Sequence, residues 1–409
     1  MLGDMKIQSL QTVRVASHPN LIWVQVQSDE GVTGLGETYF GAGAVEADIH
    51  DRIAPLLLGE DARRIEHLNA KMQPYTGFTG SGAEMRALSA LDVALWDMAA
   101  KSAGMALCDF LGGRARDTIQ VYNTCAGPDY VSKTSAVRPD NFGTDSSRES
   151  ASGRVIYEDL DGFKHHPEEL AASLLEMGIH SMKIWPFDFA EGAHDGIDIS
   201  LPDLKKALEP FEKIRAAHGD KMRLKAELHG LWSLNAAKKI ADALQPLGID
   251  WIEDPVWMDR MDALAELSAY TQAPLAGGET LAGLGHFDAL INQGNIDTPI
   301  MDITWGGGVT AARKVATMAA ARSRPLSFHD CSGPITLAVS THLALHLANV
   351  REQEIARGFY YGWYQDFVDQ LPAVKDGFIT VPEKAGLGVE LLPDIVKRSD
   401  ALVRTSTVS

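Results

Sequence analysis

Cysteine is scarce in this chain. Cys108, Cys125 and Cys331 are the whole supply in 409 residues, too few for a disulfide framework and without the paired spacing of a zinc site. The core must hold without covalent staples, and a reducing compartment, most simply the cytoplasm, is the expected location. Basic residues are also in deficit. Against 55 Asp and Glu stand 37 Lys and Arg, a formal net charge of −18, which repels a phosphate backbone or an anionic membrane surface at long range. Neither nucleic acid nor membrane is an expected partner. No apolar stretch approaches the roughly 18 residues of a spanning helix, and Lys6 and Arg14 interrupt the segment where a secretory h-region would lie. The 37 glycines follow no fixed period, which excludes a collagen-like fibre. What remains is a globular composition, 45% hydrophobic and 22% charged, long enough for one large domain plus a smaller one. An anionic substrate of such a chain needs a local cation, a lysine or a bound metal, acting against the field of the whole protein.

From Lys6 to Glu37 the pattern is short and alternating, with Val13-Arg14-Val15, then Leu21 to Val26, a turn at Asp29-Glu30-Gly31, and Val32 to Glu37. That reads as an antiparallel meander. From Gly43 to Leu111 the period becomes helical, most clearly over Ala83 to Gly104, where Leu88, Leu91, Leu95 and Met98 recur every three to four residues. An N-terminal α+β module follows from that switch. After Gly112-Gly113 the rhythm becomes strand, loop, amphipathic helix. Strand-like runs end near Lys183, Glu227, Glu253, Glu279, Asp302, His329 and Arg351 to Glu354, mostly 23 to 27 residues apart. This repeat fits a closed barrel or an open doubly wound sheet, and eight strands, counting those at Gln120 and Met182, favour the barrel. Two connections are long. Gly127 to His166, rich in Ser, Asp, Gly and Arg, is a candidate lid or oligomer contact, and Phe187 to Ile199 is a smaller excess; either also reads as a plain surface insertion.

The distinctive charged residues of the repeat all fall at carboxyl ends of strands, where a barrel carries its active site. Glu227, Glu253 and Glu279 each follow apolar residues. Three carboxylates converging in a low-dielectric mouth raise one another's pKa unless a cation sits among them. An all-oxygen donor set favours Mg²⁺, which keeps positions open for a substrate carboxylate. Separate pairing of each glutamate with a base is the alternative.

Taken together, these glutamates, the helix Ala87-Leu88-Ser89-Ala90-Leu91-Asp92-Val93-Ala94-Leu95-Trp96-Asp97, the following Gly112-Gly113 and the tail Gly386-Leu387-Gly388-Val389-Glu390 resemble the enolase superfamily, in the mandelate racemase-like branch that includes acid-sugar dehydratases. The resemblance implies an α/β fold, a modified (β/α)₇β TIM barrel with an N-terminal α+β capping domain: residues 1–116 as cap, 117–371 as barrel, and 372–409 packing back on the cap. It implies Mg²⁺ as cofactor and proton abstraction next to a carboxylate, giving an enediolate stabilised by the metal. It also implies a small-molecule sugar acid as partner, met in carbohydrate acid catabolism, and an even-numbered homo-oligomer.

The resemblance likewise assigns roles residue by residue. Asp302 and His329 match an Asp–His dyad on the sixth and seventh strands, the aspartate orienting the imidazole base. Cys331 is a poor rival as nucleophile. Lys183 aligns with the first lysine of the Lys-x-Lys motif on the second strand and is available for the substrate carboxylate. Trp185 stands where the second lysine, the opposing base of racemases, would be; an indole cannot take a proton, so two-base chemistry is weakened. Glu227 and His229 share a strand face, and related dehydratases use such a histidine as acid for the departing hydroxide, although their metal ligand there is aspartate. Glu354 matches the eighth-strand glutamate, with Glu352 on the same face two residues earlier and equally placed by sequence. His18, Tyr39, Phe40, Tyr75 and Phe78 of the cap, with Trp185, are candidates for substrate contact; the aromatics could equally be cap core. The expected reaction is Mg²⁺-dependent dehydration of an aldonate or related sugar acid to a 2-keto-3-deoxy acid. Racemisation or epimerisation of a hydroxy acid is the enzymatic rival, and a non-catalytic sugar-acid binder the rival from another class.

Overall fold

The computed structural model describes residues 5–74, 80–130 and 156–408. The alternating N-terminal segment forms an antiparallel meander of β1 (Ile7–Val15), β2 (His18–Ser28) and β3 (Thr33–Tyr39). One face of the meander packs on the long helix Ala83–Ser102. Gly34 and Gly36 permit that approach, since a Cβ at either would lie 1.9 Å from a helix carbonyl oxygen. The helix is buried over most of its length, as expected of a helix enclosed between layers.

The repeat region closes into a barrel of eight parallel strands. They are β4 (Ile119–Thr124), β5 (Ser181–Ile184), β6 (Arg223–Glu227), β7 (Trp251–Glu253), β8 (Leu275–Gly277), β9 (Thr298–Met301), β10 (Leu326–Phe328) and β11 (Val350–Ile355). Each pairs with the next, and β11 pairs with β4, Glu354 opposite Tyr122. The pairing of β11 with β4 decides for the barrel over the open sheet. A hairpin, β12 (Ala373–Lys375) and β13 (Phe378–Thr380), adds to the start of β4. The chain then returns to the cap, where β14 (Ala401–Thr407) pairs antiparallel with β1. No helix among the described residues is long and apolar enough to cross a membrane.

Cap and barrel are joined by buried polar groups. Asp92 accepts from the Thr310 amide at 3.0 Å and Ser89 from the Gly307 amide at 2.8 Å. Asp97 accepts from the Leu35 and Leu387 amides at 2.8 and 2.7 Å, so one carboxylate ties helix, meander and C-terminal segment. Glu37 of β3 crosses to the helix Pro334–His346, where it accepts from the Ile335 and Thr336 amides at 3.0 and 2.9 Å and from the Trp23 indole at 2.8 Å. A carboxylate at a helix N-terminus satisfies amides with no partner within the helix and meets the positive end of the dipole. Burial nevertheless pushes its pKa up to about 8.

His342, deeper in the same helix, accepts at Nδ1 from the Cys108 amide at 3.2 Å and donates from Nε2 to the Leu387 carbonyl at 3.0 Å. An amide can only donate, so the ring is neutral with its proton on Nε2. Burial holds its pKa down at about 4. The unfolded chain then binds the extra proton first. The stability this ring contributes is complete above about pH 6.5 and lost as pH falls towards 4. Relative to His342→Gln, the wild-type protein should lose on the order of 2 kcal/mol between pH 7.5 and 4.5, read by denaturant unfolding; a gap between the two proteins that stays constant with pH would contradict this.

Candidate active site at the mouth of the barrel

Parallel strands ending at one level bring their last side chains to a single mouth. Glu227 ends β6, Glu253 ends β7 and Glu279 lies two residues past β8; one carboxylate oxygen from each falls within 4.8 Å of the others. Lys183 of β5 reaches into the same space. Its ammonium lies 2.5 Å from Glu253, 3.0 Å from Glu354 and 3.1 Å from Glu227. Glu253 also accepts from the Trp251 indole at 2.8 Å. Glu354 accepts from the Thr124 hydroxyl and, at 2.8 Å, from the Asp330 amide.

The electrostatics follow from this crowding. Burial, opposed by Lys183 and aided by Glu227, pushes Glu253 up to about 8. Burial also raises Glu279, although His329 pulls the other way. It raises Asp254 strongly, with Glu279 adding repulsion. Glu354 is buried too, but Lys183, His329 and the donors Thr124 and Asp330 together outweigh burial and hold it below the usual range. Lys183 stays firmly charged because Glu253 and Glu354 overcome its own desolvation. One ammonium therefore serves three glutamates while a fourth closes the ring. Such an all-carboxylate corner has the donor chemistry of a hard divalent cation.

Glu352 and Glu354 do share the inner face, at different depths. Glu352 points to the lower layer, paired with Lys225 at 2.9 Å and with Arg223, while Glu354 joins the mouth. Tyr122 and Trp251 lie between the layers, with the Lys225 ammonium 4.8 and 4.3 Å from their ring centres.

On one side of the glutamates is His329. Its Nδ1 lies 2.8 Å from Asp302, whose oxygens also accept from the Ser332 hydroxyl at 2.6 Å and the Thr304 amide at 2.7 Å. Nδ1 is turned to Asp302 and Nε2 to the glutamates, 3.4 Å from Glu279; burial disfavours charge on this ring, but Glu279 and Asp302 outweigh it and raise its pKa well above the ordinary value. On the other side is His229, next to Glu227, which accepts from the His229 amide at 2.7 Å. Its Nδ1 lies 2.5 Å from Asp188, and its Nε2 lies 3.1 Å from the Tyr130 hydroxyl. Burial works against charge on this ring, but Asp188 and Glu227 outweigh it and bring the pKa to about 9. His229, Asp254 and Phe40 all line the cavity with left-handed backbone, φ 47°, 38° and 69°. Residues that could relax by ordinary means do not cluster in this way.

The cavity above these groups has a volume of about 510 Å³, within the range for a small organic ligand. Trp185 and Phe40 line it. Tyr39 and His18, expected there from the sequence, do not: Tyr39 is buried at the end of β3, paired with Leu21 of β2, and His18 packs on Trp363 and Phe367 with ring centres 4.9 Å apart. Tyr75 and Phe78 lie outside the described residues, as does 131–155 of the long connection after β4. Cys331 lines the cavity, but burial pushes its thiol up to about 12, so it is not a thiolate at neutral pH. Asp188, Tyr130, Thr124 and Arg86 escaped sequence reasoning. Asp188 and Tyr130 sit just inside the two long connections, where no strand period marks them.

A cap over a closed eight-stranded barrel, with carboxylates, a lysine and two Asp–His pairs at the strand ends, defines a barrel enzyme of acid–base chemistry at a charged substrate. Residues 6–112 match the mandelate racemase / muconate lactonizing enzyme N-terminal domain, and residues 167–395 the enolase C-terminal domain-like family. The chain belongs to the enolase superfamily, in its mandelate racemase-like branch. It is 30% identical over 397 residues to a D-galactonate dehydratase of Ralstonia nicotianae, spanning 95% of this chain and 92% of the relative. A D-xylonate dehydratase of Haloferax volcanii is 27% identical over 403 residues, spanning 96% and 89%. Among solved structures, an enolase of the mandelate racemase subgroup from Agrobacterium tumefaciens superposes with a TM-score of 0.86 at 44% identity, covering 98% of this chain and 99% of that one.

The glutamate cluster makes a stability prediction. Glu279→Gln removes one repelling charge, so in chelator it should unfold at the wild-type temperature or a few degrees above. Millimolar Mg²⁺ should raise the wild-type transition and leave the variant nearly unmoved. A Mg²⁺-induced shift of equal size in both proteins would rule out this corner as the cation site.

Proposed function

We propose that this chain is a sugar acid dehydratase, a hydro-lyase that removes the proton α to a carboxylate and then the hydroxyl at C3 to give a 2-keto-3-deoxy acid. The observation that carries this reading is the pair of Asp–His dyads flanking one carboxylate cluster, together with relatives named for dehydration of D-galactonate and D-xylonate. Glu227, Glu253 and Glu279 are the residues that would hold a divalent cation, for which Mg²⁺ fits the oxygen donors. When bound, that cation supplies positive charge at the substrate carboxylate and makes the α-carbon more acidic.

The chain's own residues do the rest. Lys183, aligned by Glu253 and Glu354, presents its ammonium to the substrate carboxylate, and Thr124 and Asp330 fix Glu354 from behind. His329 takes the C2 proton at Nε2, because Asp302 holds Nδ1–H and stabilises the imidazolium that results. The electron pair left at C2 forms the C2–C3 double bond as the C3–O bond breaks. His229, held by Asp188, gives the departing hydroxyl its proton, so that water leaves and the enol becomes the keto acid. Trp185 closes the same side as an apolar wall, its ring 5.8 Å from that of His229.

The two histidines can be separated. His329→Asn should abolish exchange of the α-proton in D₂O together with turnover, a fall of at least about 10³-fold. His229→Asn should keep exchange while 2-keto acid formation falls about 10²- to 10⁴-fold. Turnover surviving in the first variant, or exchange vanishing in the second, would overturn these two assignments. Release of a racemised hydroxy acid with no loss of water would instead favour epimerisation.

A further inference from the structure

Lys183 sits among glutamates at the floor of the cavity, and the cavity contains a second permanent cation with a different environment. Arg86, in the first turn of the cap helix, lines the cavity from above. Its guanidinium lies 4.3 Å from the centre of the Trp305 ring and 5.7 Å from that of Phe40. Nε donates to the Ser81 carbonyl at 2.6 Å, and one terminal nitrogen donates to the Tyr39 carbonyl. These partners fix the direction of the fork and supply no negative charge. Among the described residues no carboxylate is in ion-pair contact with Arg86, and its second terminal nitrogen has no acceptor. Burial lowers the pKa only to about 10, with Asp302 and Glu279 holding it up from a distance, so the group is a cation at any working pH.

Arg86 is half-buried with no counterion in contact, and two backbone carbonyls and two aromatic rings hold it there. A guanidinium fork pinned on one side and open on the other matches a carboxylate, which takes two parallel N–H bonds. The separation is within reach of the far end of a sugar acid held at His329. Trp305 lies 4.3 Å from the Arg86 guanidinium and 5.0 Å from the His329 ring centre, so guanidinium and imidazole are at most about 9 Å apart. A six-carbon chain with its α-carbon at His329 Nε2 reaches that far with its other end.

We infer that Arg86 binds a second carboxylate at the far end of the substrate, and that the preferred substrates are six-carbon sugar diacids, aldarates, rather than monocarboxylic aldonates. The inference rests on the dehydratase reading and departs from the monoacids in its relatives' names. It also fits the charge of the whole: a dianion approaching a chain of net −18 gains from a cation at each end of the cavity.

The test compares aldarate and aldonate of the same configuration, galactarate with galactonate and glucarate with gluconate, by 2-keto acid formation with Mg²⁺ present. The wild-type enzyme should favour a diacid at least tenfold in kcat/KM. Arg86→Gln should reduce that preference about tenfold to a hundredfold, chiefly through the KM of the diacid, and Arg86→Lys should restore part of it. Thermal unfolding checks that the variants fold. If Arg86→Gln does not, the wild-type preference and Arg86→Lys still decide. Equal or better turnover of aldonates by the wild-type enzyme, a preference unchanged in the variants, or stronger use of a 6-phosphoaldonate would overturn the inference and leave the dehydratase standing. Failure to dehydrate any sugar acid would overturn the dehydratase reading itself.

Discussion

At the mouth of the barrel the carboxylates of Glu227, Glu253 and Glu354 all reach the ammonium of Lys183, with Glu279 completing the ring. Strand pairing leaves them no alternative: Glu227 and Glu253 sit opposite each other in register on adjacent parallel strands. Water is largely excluded, so like charges this close act on one another with little screening. One lysine does not balance the cluster, and burial, with repulsion from Glu227 and Glu354, raises the pKa of Glu253 to about 8 in spite of it. The rest of the site reads as a response to that imbalance. Indole and backbone donors hold individual oxygens, each histidine is backed by its own aspartate, and a cation of hard-oxygen preference has a prepared corner.

The two Asp–His pairs are alike in chemistry and different in construction. Asp302 caps a short helix and is braced by Ser332 and Thr304, so His329 is held by a rigid barrel end. Asp188 lies in a connection after β5, and His229 bends out of its strand with a left-handed backbone. In the proposed dehydration the rigidly held His329 would take the proton, and His229, carried on less regular chain, would protonate the leaving group. Where racemases of this family place a second lysine, Trp185 provides a wall.

The cap helps build the barrel's active site as well as covering it. Glu37 satisfies the first amides of the helix that follows the His329 loop, and a side chain at Gly333, in that loop, would collide with Glu37, a Cβ falling 2.2 Å from its oxygen. Thr38 donates to the Thr304 carbonyl at 2.8 Å, just past Asp302. The position of the dyad thus depends on two consecutive residues of a strand in another layer, and Arg86 reaches the cavity from the cap helix behind it. Fold stability and the lining of the cavity are coupled through the same interface.

How much of the fold and site is legible in the sequence depends on which physical signal each part carries. The period-two meander, the helical stretch over Ala83–Ser102 and the 23- to 27-residue strand repeat are local patterns of burial, readable along the chain. Glu227, Glu253, Glu279, Asp302 and His329 declare themselves because each charged residue interrupts an apolar run at the same point of the repeat. Glu352 and Glu354 cannot be separated that way, since both obey the same alternation; only depth along the barrel axis, set by strand tilt and by Lys225 below, tells them apart. His18 and Tyr39 mislead because an aromatic ring carries no mark of whether it faces a ligand or the next strand. Asp188, Tyr130 and Arg86 lie in or beside irregular chain, and their partners are 41, 99 and 219 residues away. Sequence by itself determined the strand-and-helix repeat and the charged residues at its strand ends, because both are written in local periodicity. Which side chains meet across the cavity was decided by the tertiary structure alone, because long-range packing sets those distances and leaves no periodic trace in the chain.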